Sequence, residues 1–165
     1  MVRLTLSQVK MQETGASHLF KALVKYKKVE FLNLSFNVLP IQNISRSLAD
    51  LLAGTRLHTL SLNYCKIGDY GGVLIGKNLQ HRRSHLRNLK LKFCELGDPT
   101  ARSLANCIEL DIKLQLLDLS NNLISDAGGE LLAISVRFNE SLQCLKLRNN
   151  DMRETSGDIF VQAMR

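Results

Sequence analysis

Four cysteines and four histidines are the residues of this chain best suited to nucleophilic, acid–base or metal chemistry. They are Cys65, Cys94, Cys107, Cys144, His18, His58, His81 and His85. Nucleophilic catalysis needs a base beside the nucleophile, and a structural zinc site needs four closely spaced ligands. No histidine falls beside a cysteine to complete either set, and neither a phosphate-binding G-x-x-x-x-G-K-S/T loop nor a dinucleotide-binding G-x-G-x-x-G motif is present. The sequence therefore predicts no catalytic residues, no metal site, no cofactor and no enzymatic activity.

Two of the cysteines are explained by a repeat. Cys65 and Cys94 occupy equivalent positions, where other copies carry Asn37, Asn122 and Asn150. Neighbouring copies would place the two thiols on adjacent strands about 4.8 Å apart, but in-register side chains seldom point in the directions a disulfide needs. We therefore expect free thiols. Because the N-terminal residues do not resemble a signal peptide, the predicted location is the reducing cytoplasm, with association with the cytoskeleton left open.

The repeat itself is a leucine pattern, L-x-x-L-x-L-x-x-N/C-x-L, that fills the chain. Its six copies start at Met1, Val29, Leu57, Leu86, Leu114 and Leu142, which are 28 or 29 residues apart. Positions 4 and 6 of every copy are leucine. Repeats of this length stack on one another to bury their apolar faces, so the sequence predicts a single solenoid over residues 1–165. Since neither end resembles a polar capping repeat, we expect part of a longer array, or ends covered by further repeats or by a partner chain.

The copy that starts at Leu114 indicates what each repeat forms. Residues 116–120 alternate between outward and inward positions, as in a short strand with one buried side. Asn122 then turns the chain inward and should bond buried backbone groups, whereas its neighbour Asn121 should be replaceable. Asp126, at position 13, is predicted to cap a helix and favour its dipole, with small residues at positions 15 and 16 and apolar residues at positions 19 and 23. Each unit is thus a strand, a turn, a helix and a return loop.

The second copy departs from this pattern. It carries Pro40 and Ile41 where the other copies have a polar residue and an acid. Proline restricts the backbone of the residue that precedes it to extended geometry. We therefore expect the second helix to begin late, near Asn43 or Ser45.

The whole pattern resembles the ribonuclease-inhibitor-like subfamily of leucine-rich repeat proteins. The leucines, the N/C position and the stretch Ile124-Ser-Asp-Ala-Gly-Gly-Glu-Leu-Leu carry the resemblance. It implies an α/β fold, a right-handed horseshoe of six repeats of 28–29 residues with a parallel inner sheet and outer α-helices. It also implies a non-catalytic interaction module, a scaffold or regulatory subunit that binds a protein through its concave β-face. Members of this family serve in cytoskeletal or ciliary assemblies and in innate immune receptors.

Two alternatives remain within the same resemblance. One is a GTPase activator of the Ran-activator type, and the other is an inhibitor of an enzyme. The GTPase-activating branch characteristically carries a strongly acidic tail, whereas this chain has a net charge of +7 and no acidic tail. The first alternative is therefore disfavoured.

The outward strand positions define the predicted binding face. The candidate protein-binding residues are Phe31, Asn33, Asn63, Asn88, Lys90, Lys92, Leu116, Asp118, Lys146 and Arg148. The C-terminal half of this face is basic, which favours a protein partner with an acidic surface. Beside it runs an aromatic stripe, Phe36, Tyr64 and Phe93, which we expect to pack between turns rather than to form a contact ridge.

Other partners are less well supported by the composition. Nucleic-acid binding has the positive charge it needs but no recognised domain motif, so it is disfavoured. The sequence has no run of about 18 apolar residues, so it predicts no membrane span. Two basic clusters lie at predicted helix ends, residues 21–28 and 81–85. We expect their cations to complement the dipoles at helix C-termini, and the alternative is a binding site for an acidic partner on the convex side.

Overall fold

The computed structural model describes residues 2–39, 41–80, 84–110, 113–137, 139–153 and 160, and within them six strands alternate with five helices. The strands are β1 (Val2–Thr5), β2 (Val29–Asn33), β3 (Thr59–Ser61), β4 (Asn88–Lys90), β5 (Leu116–Asp118) and β6 (Cys144–Lys146). The helices are α1 (Glu13–Tyr26), α2 (Ile41–Gly54), α3 (Gly68–Gln80), α4 (Asp98–Glu109) and α5 (Asp126–Val136). The predicted sixth helix lies outside the described residues except for Phe160, as do Met1, Pro40 and residues 81–83.

All six strands form one parallel sheet in chain order, β1-β2-β3-β4-β5-β6. The register joins equal positions of successive repeats, so that Leu32 pairs with Leu60 and Leu89 pairs with Leu117. Helices contact their sequence neighbours, α1 with α2 and α4 with α5. This alternation of strand and helix around one open parallel sheet confirms the predicted solenoid.

The leucines at positions 4 and 6 form the layer of core that faces the sheet. In the four inner repeats all of them are fully buried, whereas Leu4, Leu6, Leu145 and Leu147 in the end repeats are only partly buried. The helices supply the opposite layer, with Ile75 and Leu104 among the buried residues. Inner repeats are covered on both sides by a neighbour, which explains their deeper burial.

Asparagine at position 9 holds adjacent repeats together, as predicted. Asn122 is buried and donates from Nδ2 to the carbonyl oxygens of Leu91, one repeat back, and Leu119, at 2.8 and 2.9 Å. Cysteine makes a weaker version of the same link, since the Cys94 thiol donates only to the Leu62 carbonyl at 3.0 Å across repeats. The backbone carbonyls that would otherwise be buried without partners are thereby satisfied.

Helix α2 begins earlier than the sequence indicated. We expected a start near Asn43 or Ser45, but the helix starts at Ile41, directly after the proline. A proline restricts the backbone of the residue before it, here Leu39, and not that of Ile41, which follows it. Burial of Ile41 and Ile44, which are 4% and 1% exposed, stabilises that first turn.

The acid at position 13 has a different role from the predicted helix cap. It does lie at the start of the helices, but the N-cap residues of α4 and α5 are Gly97 and Ser125. The Asp98 carboxylate instead accepts the N–H and the hydroxyl of Ser125 in the next repeat, at 2.8 and 2.6 Å. Asp69 likewise accepts the Gly97 N–H at 2.8 Å. The acids therefore form a second row of bonds between repeats, beside the asparagine row.

Candidate functional site

The side of the sheet opposite the helices carries the predicted columns of outward residues. Register pairs Asn88 with Leu116 and Leu116 with Cys144 in one column, and Lys90 with Asp118 and Asp118 with Lys146 in the next. Backbone bonds continue past the strand ends, since the Tyr64 N–H donates to the Lys92 carbonyl at 2.8 Å. The columns are therefore as the repeat spacing predicted. We call this surface the polar sheet face, defined by positions 3, 5 and 7 of each repeat.

The N-terminal half of the polar sheet face is largely occupied with its own contacts. The guanidinium of Arg3 lies 4.0 Å from the ring centroid of Phe31. The Asn33 side chain accepts the Ser35 N–H at 3.0 Å, and that of Asn63 accepts the Lys92 N–H at 2.9 Å. Asn33 and Asn63, which were predicted as binding residues, therefore stabilise the backbone after the strands.

Asn88 also bonds within the sheet, because its Nδ2 donates to the Thr59 hydroxyl at 3.1 Å. Leu116 is half-buried beside it in the same column. These two residues form the transition from the neutral half of the face to its charged half.

The C-terminal half concentrates positive charge. We call Lys90, Lys92, Lys146 and Arg148 the basic patch; the first two are half-buried and the last two exposed. Asp118 lies between Lys90 and Lys146 in register, and its carboxylate accepts the Ser120 N–H at 3.0 Å. Among the described residues, no ion pair within 4.0 Å joins the basic patch to an acid. Four cations thus surround one carboxylate that is already hydrogen-bonded to backbone.

The aromatic stripe is an exposed stack. Phe36 and Tyr64 lie with ring centroids 4.4 Å apart and planes at 10°, and Tyr64 and Phe93 are 4.4 Å apart at 20°. We call these three residues the aromatic stack. They do pack on one another as expected, yet they remain 52%, 39% and 39% exposed. The alternative interpretation, a ridge that a partner can contact, is therefore compatible with the geometry too.

Two surface cavities flank the C-terminal end of the aromatic stack. The larger, of about 670 Å³, lies between Phe93 and the basic patch, with Asp118 and Asn121 also in its lining. The smaller, of about 310 Å³, lies on the other side of Tyr64 and Phe93 and includes Leu123. Tyr64, Phe93 and Asn121 line both cavities, so the two cavities share this end of the stack.

Sequence reasoning missed the residues at position 10 that line the smaller cavity. Lys66 and Glu95 form an ion pair of 3.3 Å there, and Leu123 is 56% exposed. The repeat spacing could have identified these residues, because position 10 follows the aromatic position 8 by two residues and so lies beside it on the surface. An apolar Leu123 where neighbouring copies carry charges was the detectable departure.

The buried cysteines carry no reactive site. Burial raises the pKa of the Cys65 thiol to about 11 and the pKa values of Cys94 and Cys107 to about 12, because the thiolate loses its hydration. Thiols held in the neutral form are poor nucleophiles and poor metal ligands. Within the described part of the chain, no group of three or more histidine, cysteine or acidic residues is placed to hold a metal ion.

Comparison with known proteins agrees with this geometry. The family described as Leucine Rich repeat matches residues 55–76, 83–105 and 111–133, and each match begins two or three residues before the third, fourth or fifth copy. NACHT, LRR and PYD domains-containing protein 12 of Homo sapiens is 33% identical over 100 residues, covering 58% of this chain and 9% of that protein. The corresponding protein 12 of Mus musculus is 35% identical over 78 residues, covering 47% and 7%. Protein 14 of Homo sapiens is 28% identical over 165 residues, covering 82% and 15%.

The chain is a leucine-rich repeat protein.

As a leucine-rich repeat protein, it belongs to a group whose repeats are generally non-catalytic and bind proteins, so the repeats and these relatives support a protein-interaction module. The chain spans 7% to 15% of the lengths of the three relatives described above. No helix in the described ranges is long and apolar enough to cross a membrane.

Proposed function

We propose that this leucine-rich repeat protein binds an acidic surface of a protein partner through the polar sheet face, the concave side expected of the solenoid. The observation that carries the proposal is the basic patch, four cations around the single carboxylate of Asp118. In this role the chain serves as a scaffold or regulatory subunit.

Charge spacing supports a partner at this face. Adjacent strands are about 4.8 Å apart, so Lys90 and Lys146 lie roughly 10 Å from one another across Asp118. Like charges held at that distance repel, and none of the packing or backbone bonds between repeats requires lysine or arginine at positions 5 and 7. Other copies carry serine, threonine, asparagine or aspartate there. An acidic partner surface would relieve the repulsion and add charge-assisted hydrogen bonds.

The relatives support a particular setting for this binding. Their names place leucine-rich repeats in the same protein as NACHT and PYD domains. This favours a role for the chain as part of a receptor-like multidomain protein, over a role as a separate enzyme inhibitor or as a Ran-type GTPase activator. We also propose that the ends of the array are covered by further repeats or by a partner chain. The proposed location is the cytoplasm.

Charge reversal tests the binding face. The partner is first captured from the native source with the wild-type chain and identified by mass spectrometry. Lys92→Glu combined with Arg148→Glu should then weaken binding of the purified partner at least tenfold, mainly by slowing association, because the patch steers an acidic surface from a distance. Stability should change little, since Arg148 is exposed and Lys92 has no ion-pair partner among the described residues.

The matched control reverses two cations on the helical side. Lys25 in the last turn of α1 and Lys28 just after it are both exposed. If Lys25→Glu with Lys28→Glu abolishes binding while the patch variant does not, the site is the convex basic cluster and the polar sheet face is wrong. Acceleration of GTP hydrolysis by a Ran-type GTPase on addition of this chain would instead support the GTPase-activator alternative.

A further inference from the structure

Position 8 of every repeat has a left-handed backbone, but its residues differ along the chain. The angle φ lies between 54° and 61° at all six positions: Gln8, Phe36, Tyr64, Phe93, Asn121 and Asn149. Asparagine tolerates this conformation well, whereas a bulky side chain rarely adopts it. The last two repeats follow that preference, and repeats two to four place aromatic rings there instead. Strained choices of this kind concentrate at functional sites.

Mutual packing does not fully account for the aromatic residues. Stacking stabilises the rings pairwise, yet each remains at least 39% exposed. The stack also stops abruptly. At the next position, the Asn121 side chain accepts a hydrogen bond from the Asn149 side chain at 3.0 Å, so its carbonyl is directed toward the following repeat. Phe93 therefore has an aromatic neighbour, Tyr64, on one side only.

The end of the stack at Phe93, where Asn121 replaces an aromatic residue, lies next to positive charge. The Lys92 ammonium is 5.5 Å from the ring centroid of Phe93, within the range of a cation–π contact. The cavity of about 670 Å³ extends from this ring to Lys146 and Arg148. A ligand that lies in the cavity can thus contact the Phe93 ring and the basic patch together.

We propose that the end of the aromatic stack at Phe93 is a specificity pocket for an aromatic side chain of the partner, flanked in the partner by acidic residues. The partner's ring lies in the cavity and packs against the Phe93 ring beside Asn121, and the neighbouring carboxylates pair with Lys146 and Arg148. The proposal rests on the function proposed above and names the side-chain class that the polar sheet face selects.

Charge decides between the planar groups that could occupy this position. An arginine guanidinium also stacks on aromatic rings, but the basic patch repels it. A neutral aromatic ring is free of that repulsion, and tryptophan and tyrosine are typical anchors of protein interfaces. The acidic flanks then account for the three cations that line the cavity with Phe93, which are Lys92, Lys146 and Arg148.

Two peptides test this inference directly. The probes are Asp-Glu-Trp-Glu-Asp and Asp-Glu-Ala-Glu-Asp, each with blocked ends. The protein contains no tryptophan, so indole fluorescence reports only on the first peptide. We expect the tryptophan peptide to bind at least fivefold more tightly than the alanine peptide, with a change in its emission on stacking. Isothermal titration calorimetry gives both affinities.

Asparagine substitutions identify the ring that is contacted. Phe93→Asn should weaken the tryptophan peptide at least fivefold and leave the alanine peptide unchanged, and asparagine suits the left-handed backbone at that position. Phe36→Asn is the matched control, the same change at the far end of the stack. Its affinity for the tryptophan peptide should equal that of the wild type. A thermal melt of each variant confirms folding.

The possible outcomes separate the two proposals. Equal affinities for the two peptides, both lost in Lys92→Glu with Arg148→Glu, would overturn the aromatic pocket and support the acidic partner. Equal weakening by Phe36→Asn and Phe93→Asn would also overturn the pocket, because the effect would then belong to the stack as a whole. Failure of both peptides to bind would contradict the pocket and the basic patch alike.

Discussion

The side-chain oxygen of Asn122 accepts the backbone N–H of Cys94, one repeat earlier, at 2.9 Å. The same oxygen accepts the Leu96 N–H at 3.2 Å, while the amide nitrogen donates to carbonyls on both repeats. One side chain therefore satisfies donors and acceptors of two turns that are buried together. Where cysteine takes this position, only the donor half of the arrangement is available.

Replacing Asn122 by alanine should lower the free energy of unfolding by about 1–3 kcal/mol, because buried backbone groups lose their partners. The control is Asn121→Gly, which retains a residue suited to φ of 58° and should change stability by no more than about 0.5 kcal/mol. Urea denaturation of both variants measures the difference. Equal midpoints would contradict the structural role of Asn122.

Asn121 itself is less replaceable than its outward position suggested. Its backbone is left-handed, so Asn121→Ala should cost more than the Asn121→Gly control, although neither changes a buried contact. The sequence marked the residue as exposed without revealing its backbone conformation.

Gly72→Ala should destabilise the fold by about 1–3 kcal/mol, since an added methyl group would overlap the side chain of Thr100, which is completely buried on α4. Gly15→Ala on α1 is the matched change. Its added methyl would meet only Met11 Cγ at 4.0 Å, so it should be neutral or stabilising by up to about 1 kcal/mol. Thermal denaturation compares the two, and a loss of stability in Gly15→Ala equal to that in Gly72→Ala would show that close approach is not the cause.

Asp98→Ala should lower the free energy of unfolding by about 1–3 kcal/mol, because Ser125 loses the acceptor of both its N–H and its hydroxyl. Glu130→Ala removes an exposed acid on α5 and serves as the control. Urea midpoints test whether position 13 links repeats. Indistinguishable midpoints would contradict a stabilising role of this acid between repeats.

Buried thiols should react slowly with iodoacetamide near pH 8. With a pKa of about 11 instead of its usual 9.0, Cys65 has roughly a hundredfold less thiolate at that pH, and burial limits access further. Cys144 is half-buried on the last described strand and should be labelled first. Mass spectrometry after timed labelling gives the order; labelling of Cys65 or Cys94 ahead of Cys144 would contradict it.

The same shifts give a pH dependence of stability. Because the folded-state pKa of Cys65 and Cys94 lies above 9.0, their contribution is complete below about pH 9 and is lost as pH rises toward 11 to 12. Urea midpoints should therefore decline above about pH 9 more steeply in the wild type than in Cys65→Ala with Cys94→Ala. Parallel declines would mean that other groups determine the loss.

The columns of the polar sheet face were predictable because a repeat of 28 or 29 residues fixes the register. Once Leu117 is assigned to the core, Asp118 must lie between Lys90 and Lys146. The start of α2 was not predictable in the same way, since it depends on the burial of Ile41 and Ile44 in the core. Local rules failed where packing against a neighbouring repeat decided the conformation.

The candidate site was predictable in its charge but only partly in its shape. The positions of Lys92 and Arg148 followed from spacing, whereas the internal hydrogen bonds of Asn33 and Asn63 depend on turn geometry that a pattern does not contain. The aromatic residues were visible in the sequence. Their stacking, their exposure and the cavity beside Phe93 required the positions of the side chains.

The contacts between neighbouring repeats have a mechanical consequence. Each repeat is joined to the adjacent one by sheet hydrogen bonds, by the asparagine and acid rows and by helix contacts. The interfaces of the solenoid are therefore connected in series. Tension along its axis loads the hydrogen bonds between strands directly and can open them one interface at a time. A partner that binds two distant repeats would therefore transmit any strain through each interface between them in turn.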